Sequence, residues 1–314
     1  MKKRVITFVV MSIFLIDFMA KANAVSVNQA LLHHDGLVTI FDGSDVQTVV
    51  DAAVDGDVIY LTIGSFSGFN VTKNISILGT GENSHISGNV VISIPNSTYL
   101  SNPILESLSI SGDILIDTEV KGLTLRKCSF YHINFNASVD ETILDKCDIG
   151  FLVQNSFIKN LTVSNTKLDN VYANTDATNN TTFINCNIYS LNAAAYSGTF
   201  YNSIICYCGS IDNKLNKTIL VNTLISSSEF EIGSSSVTKD CYIISYSLRS
   251  YYTASASKLK SDGYLGTDGT VIGIYGGQIP FAGFEPDGPS VKSSLLEVDN
   301  MNRQLKVKLT ISPQ

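Results

Sequence analysis

The side chains of this chain that could do chemistry are few and scattered. Four histidines occur, His33, His34, His85 and His132. They read as exposed loop residues. Two acid–base couples stand about one repeat step apart, Asp145 with Arg126 and Asp148 with Lys167. Such couples are surface ion pairs of small worth. Six cysteines are present: Cys128, Cys147, Cys186, Cys206, Cys208 and Cys241. Cys206-Tyr207-Cys208 is too tight for a metal site without further ligands, and its neighbourhood offers no histidine. The aromatic residues are more promising. Tyr131, Tyr189, Tyr201, Tyr207 and Tyr242 lie in or just after a repeated segment rich in Asn and Asp. A tyrosine ring can stack on a sugar while neighbouring amides and carboxylates bond its hydroxyls. The same rings could instead cover strand edges. The residues thus point to no catalytic set, no metal and no cofactor, and offer one candidate glycan-binding set.

What positions these residues is an internal repeat. A six-residue pattern, apolar–any–polar–small–any–apolar, runs through Leu125–Phe130, Leu144–Ile149, Val163–Leu168, Phe183–Ile188, Phe200–Ile205, Leu220–Ile225 and Thr238–Ile243. Its small residue falls at Cys128, Cys147, Thr166, Cys186, Ser203, Thr223 and Cys241, in steps of 19, 19, 20, 17, 20 and 18. Leu105–Ile110 fits one step upstream, and strands near 71–78 and 90–94 supply two more. Roughly ten rungs between 71 and 243, at about 4.8 Å each, give a stack on the order of 45–50 Å long.

Within each rung the alternation of a strand is broken once. Leu125, Cys128 and Phe130 point inward, Arg126 and Ser129 outward, and Lys127 is skipped. One skipped residue between two strands is a tight corner. Asn165, Asn185, Asn202 and Asn222 hold that position, with Asp240 in the last rung. Asn and Asp tolerate the left-handed backbone that such a corner needs, and stacked amides can bond from rung to rung. Lys127 and Lys146 depart from this column. The cysteines of the small column are then core thiols, since free Cys is a small, readily buried residue. A leucine-rich repeat lacks support, because its asparagine–leucine signature and any helical period are missing. The fold class is therefore all-β: a single-stranded right-handed parallel β-helix of roughly ten rungs.

The ends complete the plan. Lys2, Lys3 and Arg4, an apolar stretch from Val5 to Ala20, and Ala22-Asn23-Ala24 form the pattern of an export signal over 1–24. No later stretch is long and apolar enough to span a bilayer. A net charge of -7 and 16% charged residues argue against a nucleic-acid partner. Residues 25–70 form an N-terminal cap and the first strands. There Ser44 and Gln47 make a capping box before a helix over Val46–Val54, with Val46, Val49, Val50, Ala53 and Val54 on one face. The helix body spans 71–285. Residues 286–314 read as a β-hairpin tail, with alternating strands over Val291–Val298 and Leu305–Ile311. The hairpin covers the last rung or pairs with another chain.

Two segments carry a family likeness. Val46–Ala53, then Asp55-Gly56-Asp57 and Val58–Leu61, then Ile75-Ser76-Ile77-Leu78-Gly79-Thr80-Gly81 resemble the entry of the pectin-lyase-like superfamily. Asp268–Gly277 followed by Pro280-Phe281 is similar to the closing segment of right-handed β-helix proteins exported by Bacteroidetes-type bacteria. Its glycines and small apolar residues suit a last coil. The resemblance implies fold far more than activity, because that superfamily includes lyases, hydrolases, esterases and non-enzymes. Its enzymes would imply clustered outward acids with a basic residue, or paired carboxylates at hydrolytic spacing. Neither is found in this sequence. The reading is an exported non-catalytic β-helix that binds a polysaccharide or surface glycan, or acts as an adhesin-like module, in the periplasm, on the cell surface or outside the cell. A polysaccharide lyase or hydrolase, and a structural piece of a surface assembly, are the alternatives.

Overall fold

The computed structural model describes residues 28–95, 100, 104–154, 158–173, 180–192, 198–208, 214–215, 217–229, 231–284, 290–299 and 304–312. The segment 1–24, expected to be an export signal, lies outside them. Among the described residues no helix is long and apolar enough to cross a membrane.

The chain winds into a parallel β-helix of the right-handed type. Eight corner residues adopt a left-handed backbone, with φ between 45° and 55°: Ser107, Lys127, Lys146, Asn165, Asn185, Asn202, Asn222 and Asp240. They mark eight regular turns. Two less regular coils, through Val58–Leu61 with Gly64–Val71 and through Ser76–Ile92, precede them. Lys127 and Lys146 take the same conformation as the asparagines despite their bulk.

Each corner joins two faces. On the first face the strands before the corner pair in strict register: Leu105, Leu125, Leu144, Val163, Phe183, Phe200, Leu220 and Thr238 lie one above another. On the second face Ile110, Phe130, Ile149, Leu168, Ile188, Ile205, Ile225 and Ile243 do the same. Between these files runs the small column. Cys128, Cys147, Thr166, Cys186, Ser203 and Thr223 are all fully buried, and each carbonyl accepts from the amide that opens the next rung's second strand. The Cys128, Cys147 and Cys186 thiols are free, and their S–H groups sit on backbone carbonyls of their own or the preceding rung. A third, shorter face holds Val120–Lys121, Val139–Asp140 and Ile158–Lys159 in parallel. Its own corners, Gly122, Glu141 and Asn160, are also left-handed. Sequence reading missed this second corner file.

The core is apolar and stacked like on like, as in Phe183 and Phe200, whose rings lie parallel at 4.7 Å. Near the start of the stack the second face bends where glycines meet backbone. A Cβ on Gly68 would fall 2.3 Å from the Asn89 carbonyl oxygen, and one on Gly112 would fall 2.4 Å from Gly88.

The N-terminal end is closed. An antiparallel hairpin, Gln29–His34 with Leu37–Asp42, pairs with Val58–Leu61. A helix over Val46–Ala52 buries Val46, Val49 and Val50 against the first coil. Its N-cap is Asp45, which accepts from the Gln47 amide, rather than Ser44. Gln47 instead ties the helix to the backbone of Asn70. Val54 lies beyond the helix and is half exposed.

The C-terminal region departs most from expectation. Residues 248–277 add no further coil. They run back along the outside of the β-helix as a strap, with a turn at Arg249–Tyr251 and a short helix at Ala256–Ser261. The strap docks on the corner asparagines. Asn222 Nδ2 donates to the Leu265 carbonyl, the Gly273 amide donates to the Asn202 carbonyl, and Asn165 Nδ2 donates to Gly276. The glycines permit that approach. A Cβ on Gly273 would lie 2.2 Å from Asn187 Oδ1, and one on Gly277 2.7 Å from Asn185 Nδ2. Both have φ near 80°. Asn222 Nδ2 still donates to Asn202 Oδ1 of the rung before, at 3.1 Å.

Candidate functional site

The outer surface of the second face divides into two zones along the axis. One outward column reads Ser109, Ser129, Asp148, Lys167 and Asn187, then changes to Ile204, Leu224 and Tyr242. The change from polar to apolar decides where the strap binds. Ile204, Cys206 and Leu224 form a second small core with Leu248, Tyr251, Tyr252, Leu259 and Ile272 of the strap. Burial there pushes the Cys206 thiol up to about 12.

The strap claims three of the five tyrosines proposed for binding. Tyr189 packs edge-on to Tyr252 at 5.4 Å. Tyr242 packs edge-on to Tyr264, and its hydroxyl donates to the Leu265 carbonyl. Tyr207 carries the Arg249 guanidinium 5.4 Å from its ring centre. These rings hold the strap and form no open strip. Tyr201 stands exposed on the first face, away from the others. Tyr131 is the most exposed of the five, at 55%.

Tyr131 begins a ladder on the zone that the strap leaves bare. Its ring meets Phe151, one rung on, at 5.2 Å, and Phe151 stacks on Tyr172, a further rung on, at 5.9 Å with 14° between planes. His132 completes the cluster, 4.7 Å from Phe151. Asp113 lies one rung before His132, and its carboxylate shares a 2.7 Å hydrogen bond with His132 Nδ1. Phe151 and Tyr172 were not among the residues singled out in the sequence, and His132 was read as a loop residue. All four histidines in fact lie in strands: His33 and His34 in Gln29–His34, His85 in Ser76–Ile92 and His132 in Ser129–Phe135. The signal was available in the period, since His132 and Phe151 are separated by one repeat.

No family model matches the chain, and neither the curated proteins nor the solved structures yield a match.

Beside the ladder, at the strap's border, sits a charged group. Lys167 Nζ lies 3.2 Å from Asp148 and 5.1 Å from the centre of the Tyr252 ring. Burial raises the Asp148 carboxyl above its usual range, against the pull of Lys167. The Tyr252 hydroxyl donates to Asp169, and burial together with that bond pushes the phenol far above its ordinary value. On the first face Arg126 bonds both oxygens of Glu106, at 2.7 and 2.8 Å. Asp145 accepts from Ser164. Among the described residues no group of three or more His, Cys, Asp or Glu is placed to hold a metal ion. Lys167 with Asp148, Arg126 with Glu106 and His132 with Asp113 are thus paired within the protein. The exposed Tyr131 and Tyr172 and the half-buried Phe151 between them, with Asp113 and His132 at their edge, present apolar faces beside hydrogen-bonding groups.

Proposed function

We propose that this chain is an exported, non-catalytic β-helix that binds a polysaccharide or surface glycan along the Tyr131–Phe151–Tyr172 ladder. One observation carries the reading. Three aromatic rings lie on successive rungs of a rigid outer face, next to a histidine–aspartate pair, on the zone free of the strap. Stacking of sugar on rings supplies affinity, and the flanking polar groups orient the hydroxyls. Rungs fixed by ladder hydrogen bonds hold the rings without a further ordering cost, which favours binding. Membership of the pectin-lyase-like superfamily, and export directed by residues 1–24, belong to the same proposal. They rest on the helix–turn–strand entry at 46–81 and on the basic–apolar–small pattern of the first 24 residues.

The test is a glycan array on the mature chain, run beside an assay for unsaturated products on acidic polysaccharides. Binding without product, lost in the triple variant Tyr131→Ala, Phe151→Ala, Tyr172→Ala, supports the proposal. Product formation abolished by His132→Asn or Asp113→Asn would replace it with a lyase reading, in which that pair serves the chemistry.

A further inference from the structure

The charges around the ladder narrow the class of glycan it takes, an inference that rests on the binding reading above. The rings and their polar edge occupy the second face over the strands Leu105–Ile116, Ser129–Phe135, Asp148–Gln154 and Lys167–Ala173. The charged residues that this face turns outward on these four rungs are Asp113, His132, Asp148, Lys167 and Asp169, all partly exposed. Two of the carboxylates bracket the rings along the axis. Asp113 lies one rung before His132, and Asp169 lies on the same strand as Tyr172.

Both basic side chains of this set are already engaged. Lys167 Nζ lies 3.2 Å from Asp148 and 5.1 Å from the centre of the Tyr252 ring. His132 Nδ1 lies 2.7 Å from Asp113. Asp169 accepts from the Tyr252 hydroxyl, a neutral donor. Three carboxylates thus stand against one ammonium, and the zone is negative when the imidazole is neutral. The chain as a whole carries -7. An anionic sugar meets like charge here. Drawing Lys167 toward it would strip a partly exposed carboxylate of its counter-ion, and both effects oppose binding.

Hydrogen bonding points the same way. A carboxylate only accepts, so the proton of the Asp113–His132 bond sits on Nδ1, and the neutral ring offers Nε2 as an acceptor. The Asp113 and Asp169 carboxylates and His132 Nε2 therefore call for donors at the ladder's edge. Sugar hydroxyls supply them, whereas a uronate or sulfate group brings acceptors alone. We infer that the ladder takes a neutral glycan, whose polar groups are hydroxyls, and discriminates against uronate-bearing and sulfated chains.

The test is an array of gluco-, manno-, galacto- and xylo-oligosaccharides, each printed in its neutral form and as a carboxylated derivative, probed with the full chain. A neutral form should bind, and its carboxylated partner should bind at least about tenfold more weakly at low ionic strength. Added salt should leave the neutral affinity unchanged and recover part of the other, because screening weakens repulsion. Equal or tighter binding of the carboxylated form, lost in the triple variant Tyr131→Ala, Phe151→Ala, Tyr172→Ala, overturns this inference and leaves the ladder reading standing. Absence of binding in every form, or binding that survives the triple variant, overturns the ladder reading and this inference with it.

Discussion

Tyr252 and Asp169, 83 positions apart in the chain, are joined by a hydrogen bond from the phenol to the carboxylate. That bond fastens the strap to the middle of the β-helix, where the Tyr252 ring also meets Tyr189 and its carbonyl accepts from Asn187 Nδ2. Tyr252→Phe keeps the ring contact and removes the bond. The expected cost is about 1.5 kcal/mol, at the low end for a bond to a charged group because Asp169 is only partly buried. Urea denaturation measures it. An unchanged midpoint would mean that this bond adds nothing to the apolar contacts and asparagine bonds that hold the strap.

Thiol labelling separates the two cores. Cys128 and Cys186 are wholly buried in the β-helix, where burial raises each to about 12. Reactivity follows thiolate and access, so both should resist a disulfide reagent at pH 8 until global unfolding. Cys206 packs against the strap. In Tyr252→Phe it should label several-fold faster than in the wild type, with Cys128 and Cys186 unchanged, as read by mass spectrometry of the modified peptides. Equal rates for all three would show that the strap opens only with the whole fold.

Lys146 occupies a left-handed corner with φ of 54°. For most residues that conformation costs roughly 1–2 kcal/mol, and asparagine bears it better. Lys146→Asn is expected to stabilise the protein by about 0.5–1 kcal/mol, and to raise Tm by a few degrees. A fall in Tm would show that the lysine's packed stem outweighs the backbone term.

His34 stands 2.7 Å from the buried carboxylate of Asp57, and the hydrogen bond to that group raises the imidazole above its ordinary value. The folded pKa therefore exceeds the unfolded one of about 6.5. The contribution to stability is complete below the unfolded value and disappears as pH rises through the folded one. Against His34→Gln, the wild type should hold its largest margin in urea midpoint near pH 5 and its smallest near pH 9. A margin independent of pH would contradict the pairing.

The body of the fold was legible because buried side chains repeat in type and spacing. The file from Cys128 to Thr223, the corner asparagines and the cap helix all follow from short-range constraints that leave a periodic mark. The strap was not legible in the same way. Asp268–Gly277 has the glycines and small apolar residues of a coil, and nothing local distinguishes a coil from a segment lying against asparagine side chains. The trace lay elsewhere, in Ile204-Ile205, Leu224-Ile225 and Tyr242-Ile243. There an outward position turns apolar because something covers it. The binding candidates divided on that point: Tyr189, Tyr207 and Tyr242 fall under the strap, and Tyr131 does not. Phe151 and Tyr172 could have been found by counting one repeat from His132 and two from Asn134 along the outward columns.

The decisive measurement is the affinity, by titration calorimetry, of the best array glycan for two triple variants, each first checked for an intact fold by circular dichroism. Tyr131→Ala, Phe151→Ala, Tyr172→Ala should lose at least about 2 kcal/mol of binding, the scale of two or three stacked rings. Tyr189→Ala, Tyr207→Ala, Tyr242→Ala should bind as the wild type does, since those rings serve the strap. Wild-type affinity in the first variant, or loss confined to the second, would contradict the account.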